Sequence, residues 1–383
     1  MKPRYFDYNA TTPLAGAAKL AWVEATEAQW LNPSSPYRQA AGVRVRYEAA
    51  RTSVAQRIGV DAGRVVFTSG ATEANNGVMR YWAEVLGPNA RVGINPTEHP
   101  SVIEAAKAFL AERVLWLPLL SDGRVDEHAV QRLIADGDLA ALSVMAANNE
   151  TGVIQPWQSI ARLCAEVHLP YHCDASQWVG KMPLSGLGDC TYVTACAHKF
   201  GGPKGVGFMV LPAAGVEPCR LLYGGAQEAG QRAGTEDVAG VLSMVAALEH
   251  VTLGEPAARD AFIAELSRRL PGVQVIGEGV ERLWNTVSLI MPEFQSVRWI
   301  RSLERAGFLC SAGSACSTGK STQSSVLRAM GLDSASAGRV LRISSGAETT
   351  LADWYALVEA LMSGYQALKA EAASSRSQVI SID

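Results

Sequence analysis

The stretch Thr194-Ala-Cys-Ala-His198-Lys199-Phe-Gly-Gly-Pro-Lys204-Gly205 decides how this chain is read. The apolar residues 191–195 before the turn predict a strand, and residues 206–211 after it predict another. The turn itself is polar and glycine-rich and carries His198 and two lysines. A lysine just beyond a strand can be aimed into a shared cleft. Partial desolvation there lowers its pKa, and the neutral amine can form an imine with an aldehyde. Taken alone, a His-Lys pair more often marks a solvated surface turn. Asp174 changes the weighting, because it ends a second apolar run, 169–173. A carboxylate facing a pyridinium nitrogen and a lysine holding the aldehyde carbon are the two protein groups that pyridoxal phosphate (PLP) requires.

Upstream, the same punctuation recurs. The short apolar run 65–67 leads into Thr68-Ser-Gly-Ala-Thr-Glu-Ala-Asn-Asn76 and then a helix to about residue 86. Strand, glycine turn and helix start direct free backbone N–H groups and the positive end of the helix dipole at one spot, a ready phosphate site. Thr72 can add a hydroxyl, although Ser69 or Thr72 can equally serve as a plain helix cap. Residues 91–95 read as a strand ending at Thr97-Glu98-His99, where the imidazole is either a solvated loop group or a flat ring laid over a cofactor. Residues 140–146 read as a strand ending at Ala147-Asn148-Asn149-Glu150. Strand, polar tip and helix alternate at least five times. This predicts an α/β fold with a mostly parallel sheet and helices on both faces. Ligands in such sheets sit at the strand C-terminal ends. The tips at 69–72, His99, Asn149, 174–177 and 198–199 should therefore converge. A Rossmann dinucleotide site is the natural competitor, but no G-x-G-x-x-G follows the first strand.

The chain has 383 residues, enough for two domains and for a core that needs no staples. A net charge of −3 without any basic run argues against a nucleic-acid protein. No apolar stretch approaches the ~18–20 residues of a membrane span, and the start lacks a signal-peptide h-region. Seven cysteines without CxxC or zinc spacing read as reduced thiols of a cytoplasmic protein. The expected division is a large domain over 13–252 and a small α/β domain from 1–12 and 253–383, with 374–383 a frayed tail. The polar opening at 5–13 carries aromatics that suggest it packs. Residues 223–235 form an irregular glycine-rich loop, which at that length is more often functional or interfacial than accidental.

Two further residues carry chemistry. Cys316 sits amid Ser311-Ala-Gly-Ser-Ala-Cys316-Ser-Thr-Gly-Lys320, a composition that predicts a mobile, exposed and therefore reactive thiol. Residues 339–344 alternate like a strand. Arg342 there can offer its guanidinium fork to a carboxylate, or make a plain surface salt bridge.

Joint order now carries more than any single motif. Asp7-Tyr-Asn-Ala-Thr-Thr-Pro, Ser69-Gly-Ala-Thr-Glu-Ala-Asn, Thr97-Glu-His, Asn148-Asn-Glu-Thr-Gly, Asp174-Ala-Ser-Gln, His198-Lys199, Arg232-Ala-Gly-Thr, Gly313-Ser-Ala-Cys316 and Leu341-Arg-Ile-Ser span nearly the whole chain. Together they resemble the cysteine desulfurases of the class V aminotransferase family. The resemblance implies the PLP-dependent fold type I and a homodimer with shared active sites. It implies Lys199 as the Schiff-base lysine, Asp174 at the pyridinium nitrogen, Gln177 at the phenolate oxygen, His99 on the ring face and Asn149 beside the cofactor. Ala71, Thr72, Cys196 and His198 would hold the phosphate, with Thr235 reaching across from the partner. Arg342 and Asn32 would hold the substrate carboxylate, and Cys316 would accept sulfur from L-cysteine for a sulfur-acceptor protein in iron–sulfur cluster assembly or thiolation. No metal is implied. Two positions depart from the family pattern: Cys196 stands where serine is usual, and Tyr37 where histidine is usual. The rival readings are a selenocysteine lyase or aminotransferase of the same fold, a catalytically silent sulfur-relay or scaffold protein, and, more distantly, a nicotinamide dehydrogenase.

Overall fold

The computed structural model describes residues 3–213, 219–313 and 324–379. They divide into two compact units: Met1–Ala10, Asn149–Val153 and Gly254–Asp383 form one, and Thr11–Asn148 with Ile154–Leu253 the other. The chain begins in the smaller unit with strand β1 (Arg4–Tyr5) and then enters the larger.

In the larger unit, helices α1 (Gly16–Ala28) and α2 (Arg38–Ile58) precede a regular alternation. It runs β2 (Val65–Thr68), α3 (Ala71–Val85), β3 (Val92–Ile94), α4 (Pro100–Phe109), β4 (Val114–Trp116), α5 (Glu127–Ala135), β5 (Ala141–Ser143), α6 (Trp157–Glu166) and β6 (Tyr171–Asp174). Strands β7 (Tyr192–Cys196) and β8 (Gly207–Val210) and helix α7 (Val238–Glu249) follow. The sheet order is β2-β8-β7-β6-β5-β3-β4. Only β8 runs against its neighbours, β2 and β7. The other pairings are parallel, so β2, β3, β4, β5, β6 and β7 all end on one edge of the sheet. This is the mostly parallel α/β architecture expected from the alternation.

Helical periodicity explains how α3 and α4 dock. Ala74, Val78 and Trp82 on α3, with Val102 and Ala106 on α4, meet Val92, Ile94 and Met209 of the sheet in one buried cluster. Fully burying each large side chain contributes roughly 2–3 kcal/mol. Gly70, at φ +143°, makes the turn from β2 into α3. Gly207 lets that turn lie close to the sheet, since a Cβ on it would come within 2.7 Å of the Gly70 Cα.

The smaller unit contains α8 (Ala257–Arg269), β9 (Gln274–Val275), β10 (Thr286–Ile290), α9 (Ser296–Arg305), β11 (Phe308–Leu309) and β12 (Ser311–Ala312). It continues with α10 (Ser325–Ala329), α11 (Ser334–Ala337), β13 (Val340–Ser344) and α12 (Leu351–Val379). Its antiparallel sheet is ordered β12-β13-β10-β9, and β1 pairs in parallel with β11. Phe6, Phe262, Leu266, Trp299, Trp354, Leu357 and Leu361 form its core. Phe6 meets Trp354 edge-on at 5.0 Å, so the aromatic opening segment does pack. Helix α12 runs beyond residue 368, where its apolar period stops. Ala372 still packs against the core there, and the Ala, Glu and Lys of residues 369–373 favour a helix by propensity.

Candidate active site

Asp174 closes β6 and is nearly buried. Its Oδ2 accepts from Asn75 Nδ2 at 2.8 Å and its Oδ1 from the Ser176 backbone N–H at 2.9 Å. Both donors are neutral, so the charge of the carboxylate is left for a cation such as a protonated ring nitrogen. His99 caps α4: the Ser101 backbone N–H donates to its Nδ1 at 3.1 Å, and Ser101 Oγ lies 2.8 Å from the same nitrogen. Nδ1 is thus an acceptor, and the neutral ring carries its proton on Nε2. Burial lowers the His99 pKa, with Asp174 opposing and Lys199 adding to the effect. The two charged groups singled out in the sequence therefore both act on His99.

Lys199 ends a short 3-10 turn, Ala197–Lys199, directly after β7 and is half-buried. Lys204, its rival in the same turn, is exposed. The turn is clamped by the opening segment. Thr12 N and Oγ1 donate to the His198 carbonyl at 2.9 and 3.0 Å, and Thr12 Oγ1 accepts from Gly201 N at 2.8 Å. His198 is held neutral, its pKa pushed down to about 4 by burial and then by Lys199, Lys204 and Lys181. Three lysines bearing on one imidazole near a helix start make a field suited to a phosphate. Cys196 is buried at the end of β7, its thiol pushed up to about 11 by burial, and the Ala71 N–H bonds to it. Gln177 is buried, and Lys181, also buried, donates to its Oε1.

Four contributors were not singled out from the sequence. Asn75, Ser101 and Lys181 each touch a residue that was. Glu98 is fully buried, with Oε1 accepting from Met145 N at 2.5 Å and Oε2 without a hydrogen-bond partner among the described residues. Burial, and then the Asp174 charge, push its pKa well above the usual carboxylate value. The one signal for Asn75 was an amide on the buried face of α3, in step with Ala71, Val78 and Trp82.

Each of the remaining candidates has surroundings of its own. Thr235, Asn32 and Tyr37 are exposed, and the Asn32 Oδ1 accepts from Ser34 N at 2.8 Å. In the smaller unit, Arg342 on β13 is buried. Its Nη2 pairs with Asp7 Oδ1 at 2.7 Å and its Nη1 donates to the Asn149 carbonyl at 3.0 Å. Its Nε has no hydrogen-bond partner among the described residues. Arg342 makes a buried ion pair rather than a surface one. Cys316 lies outside the described residues.

The turn into α3, the lysine field, the Asp174 carboxylate and the His99 ring match PLP group by group. The larger unit is that of a PLP-dependent α/β enzyme. The profile described as "Aminotransferase class-V" matches residues 4–357, and the chain belongs to that family. A cysteine desulfurase IscS of Dictyoglomus turgidum is 33% identical over 361 residues, covering 91% of this chain and 91% of that protein. Among solved structures, a NifS-like protein matches with a TM-score of 0.84 at 30% identity, over 94% of this chain and 98% of its own. The structure described as SspA in complex with cysteine matches with a TM-score of 0.78 at 26% identity, over 91% of this chain and 100% of its own. No helix among the described residues is long and apolar enough to cross a membrane.

Proposed function

We propose that this chain is a cysteine desulfurase. It would convert L-cysteine to L-alanine and leave the sulfur on Cys316 for a sulfur-acceptor protein, working as a cytoplasmic homodimer. The balance is L-cysteine plus the Cys316 thiol giving L-alanine plus a Cys316 persulfide, with no outside oxidant. The observation that carries the reading is the pairing of Asp174 and Lys199 at neighbouring strand ends, their charges meeting at His99. It occurs in a chain one-third identical to an enzyme named for this reaction.

Bound PLP would supply an electron sink for the substrate carbon. Asp174 would hold the ring nitrogen protonated. Because Lys181 occupies Gln177 Oε1, the Gln177 NH2 is the end that would serve the phenolate oxygen. Ala71, Thr72, Cys196 and His198 would take the phosphate, with Thr235 from the partner subunit's copy, and Asn149 would help seat the cofactor. Lys199 Nζ would bind the aldehyde and, once released by substrate, move the Cα proton. His99, with its proton on Nε2, would face the ring and assist that transfer. Arg342 and Asn32 would orient the substrate carboxylate. The Cys316 thiolate would attack the substrate sulfur as its bond to Cβ breaks.

The test is the purified holoprotein with L-cysteine and no reductant. One alanine per subunit and one added sulfur on the Cys316 peptide are expected. Cys316→Ala should lose at least 100-fold in alanine formation, and Lys199→Ala more. Wild-type turnover by Cys316→Ala would turn the reading to a lyase, with selenocysteine the next substrate to try.

A further inference from the structure

We propose that Asn75 is a positioning residue that couples the two ring-facing groups of the site, Asp174 and His99, through one directional chain of hydrogen bonds. The inference rests on the PLP reading of the site and adds to it an element that touches neither cofactor nor substrate.

Asn75 is fully buried on α3. Its Nδ2 donates to Asp174 Oδ2 at 2.8 Å and to Ser101 Oγ at 2.9 Å, while its Oδ1 accepts from Thr194 Oγ1 at 2.5 Å. The amide has one workable orientation, because flipping it would aim its oxygen at a carboxylate. From there each hydrogen is forced. Ser101 Oγ receives from Asn75, so its own hydrogen goes to His99 Nδ1, 2.8 Å away. With the Ser101 backbone N–H, which also donates to Nδ1, that hydrogen holds the His99 proton on Nε2. On the other side, Thr194 has given its single hydrogen to Asn75. His172 Nε2, 3.2 Å away, must therefore be a donor, and His172 Nδ1 must accept from Ser143 Oγ at 2.9 Å. His172 is fully buried and held neutral by that burial.

The chain Ser143–His172–Thr194–Asn75 thus ends in two branches. One stabilises the Asp174 carboxylate, and the other adds a hydroxyl donor to the His99 Nδ1 that the Ser101 backbone N–H already makes an acceptor. Such a network is satisfied in only one arrangement, which is how buried polar groups specify orientation. A merely structural Asn75 would influence stability without moving either the His99 Nδ1 resonance or the protonation of the bound cofactor.

Two readouts test this. In the ligand-free protein, imidazole 15N shifts should show single Nε2–H tautomers for His99 and His172. Asn75→Ala and Ser101→Ala should leave His99 the Nε2–H tautomer, held by the backbone N–H, and move its Nδ1 resonance downfield as the hydroxyl bond is lost, and Thr194→Val should convert His172 to a mixture. In the holoprotein, the pH midpoint of the visible cofactor band should rise by about one pH unit or more in Asn75→Asp. Its new carboxyl group must share charge or a proton with Asp174. Thr194→Val, which removes the hydroxyl that holds the Asn75 carbonyl but adds no charge, should give a smaller rise. An unchanged His99 Nδ1 shift in Asn75→Ala, or an unchanged midpoint in both Asn75→Asp and Thr194→Val, would overturn the coupling. A wild-type protein that takes up no PLP would instead sink the functional reading, and the tautomer measurement would still decide the network.

Discussion

Asp7 and Asp174 are acids of different units, and they are served in opposite ways. Asp7 is paired with a buried guanidinium, Arg342, at 2.7 Å. Asp174 is served by an amide and a backbone N–H. A guanidinium compensates charge, and the pair behaves as a structural unit. Neutral donors stabilise the ionised form of a carboxylate without cancelling its field. That field is felt at Glu98, His99 and His172, the acid raised and both imidazoles opposed in their loss of a proton. The contrast separates an acid that holds its own unit together from an acid kept available for a bound cation.

Removing Asp174 is the most direct way to break this contrast. Asp174→Ala should reduce L-cysteine turnover by about 100- to 1,000-fold, the scale of losing a preorganised electrostatic partner. The midpoint of the visible cofactor band should move with it. Retention of more than a tenth of the activity would mean that the two acids do not differ in kind.

Glu150 sharpens the comparison as a third acid. It is buried in the smaller unit, and its Oε2 accepts from the Ser324 hydroxyl at 2.6 Å. Burial pushes it up to about 7, with Ser324 and Arg342 only partly opposing. A carboxyl with a raised folded pKa binds its proton more tightly folded than unfolded. Stability should therefore fall as pH rises from the ordinary carboxyl value, near 4.5, to about 7, and level off above that. The loss is on the order of 3 kcal/mol, at ~1.4 kcal/mol per tenfold change in proton affinity. Urea melts of wild type and Glu150→Gln across pH 4.5–7.5 check it, and the variant should show a shallower slope, since Glu98, also raised by burial, still contributes. Equal slopes would show that one hydroxyl suffices where Asp174 has two N–H donors.

How much of this was legible in the sequence differs by element. The alternation of apolar runs and polar tips predicted the α/β sheet and the strand ends where Asp174, His99 and Lys199 stand, because parallel strands in such folds share one ligand-bearing edge. The reversal of β8 was not legible, since a short apolar run such as Gly207–Val210 carries no direction. Asp174 and Lys199 could be paired as a chemical idea because their residue types are rare at strand ends. Asn75 could not, because an amide on a helix reads as a solvated position until its face is known. Arg342 looked like a surface ion pair or a carboxylate fork. The alternation of β13 does not reveal that Asp7, far away in sequence, already fills part of the fork. The opening segment was expected to pack through its aromatics, and Phe6 does. The clamp that Thr12 places on the His198–Lys199 turn depends on long-range contacts that no local pattern encodes.

The Asp7 half of the comparison has its own test. Asp7→Asn leaves a guanidinium whose side chain is 2% exposed facing a neutral amide. Breaking one side of a fully buried pair costs about 3–5 kcal/mol. Asp7 itself is partly exposed, so about 2 kcal/mol is expected here. Chemical denaturation measures it. A change below about 0.5 kcal/mol would place the pair with surface ion pairs and remove the contrast with Asp174.

The smallest effect asks whether neutral donors also tune the phosphate side. Cys196 is the position where the family resemblance leads one to expect serine, and burial keeps its thiol protonated, bonded by the Ala71 N–H. A hydroxyl is the stronger donor, so Cys196→Ser should tighten PLP binding. One added hydrogen bond contributes about 1 kcal/mol, or roughly fivefold in affinity. The quench of intrinsic fluorescence on titrating the apoprotein with PLP reads it directly. Weaker binding would mean that the sulfur is present for its packing, since a buried hydroxyl that finds no acceptor destabilises the site that the thiol fills. In that case the neutral-donor logic would stop at Asp174, and the phosphate would be held by the helix terminus and the lysine field alone.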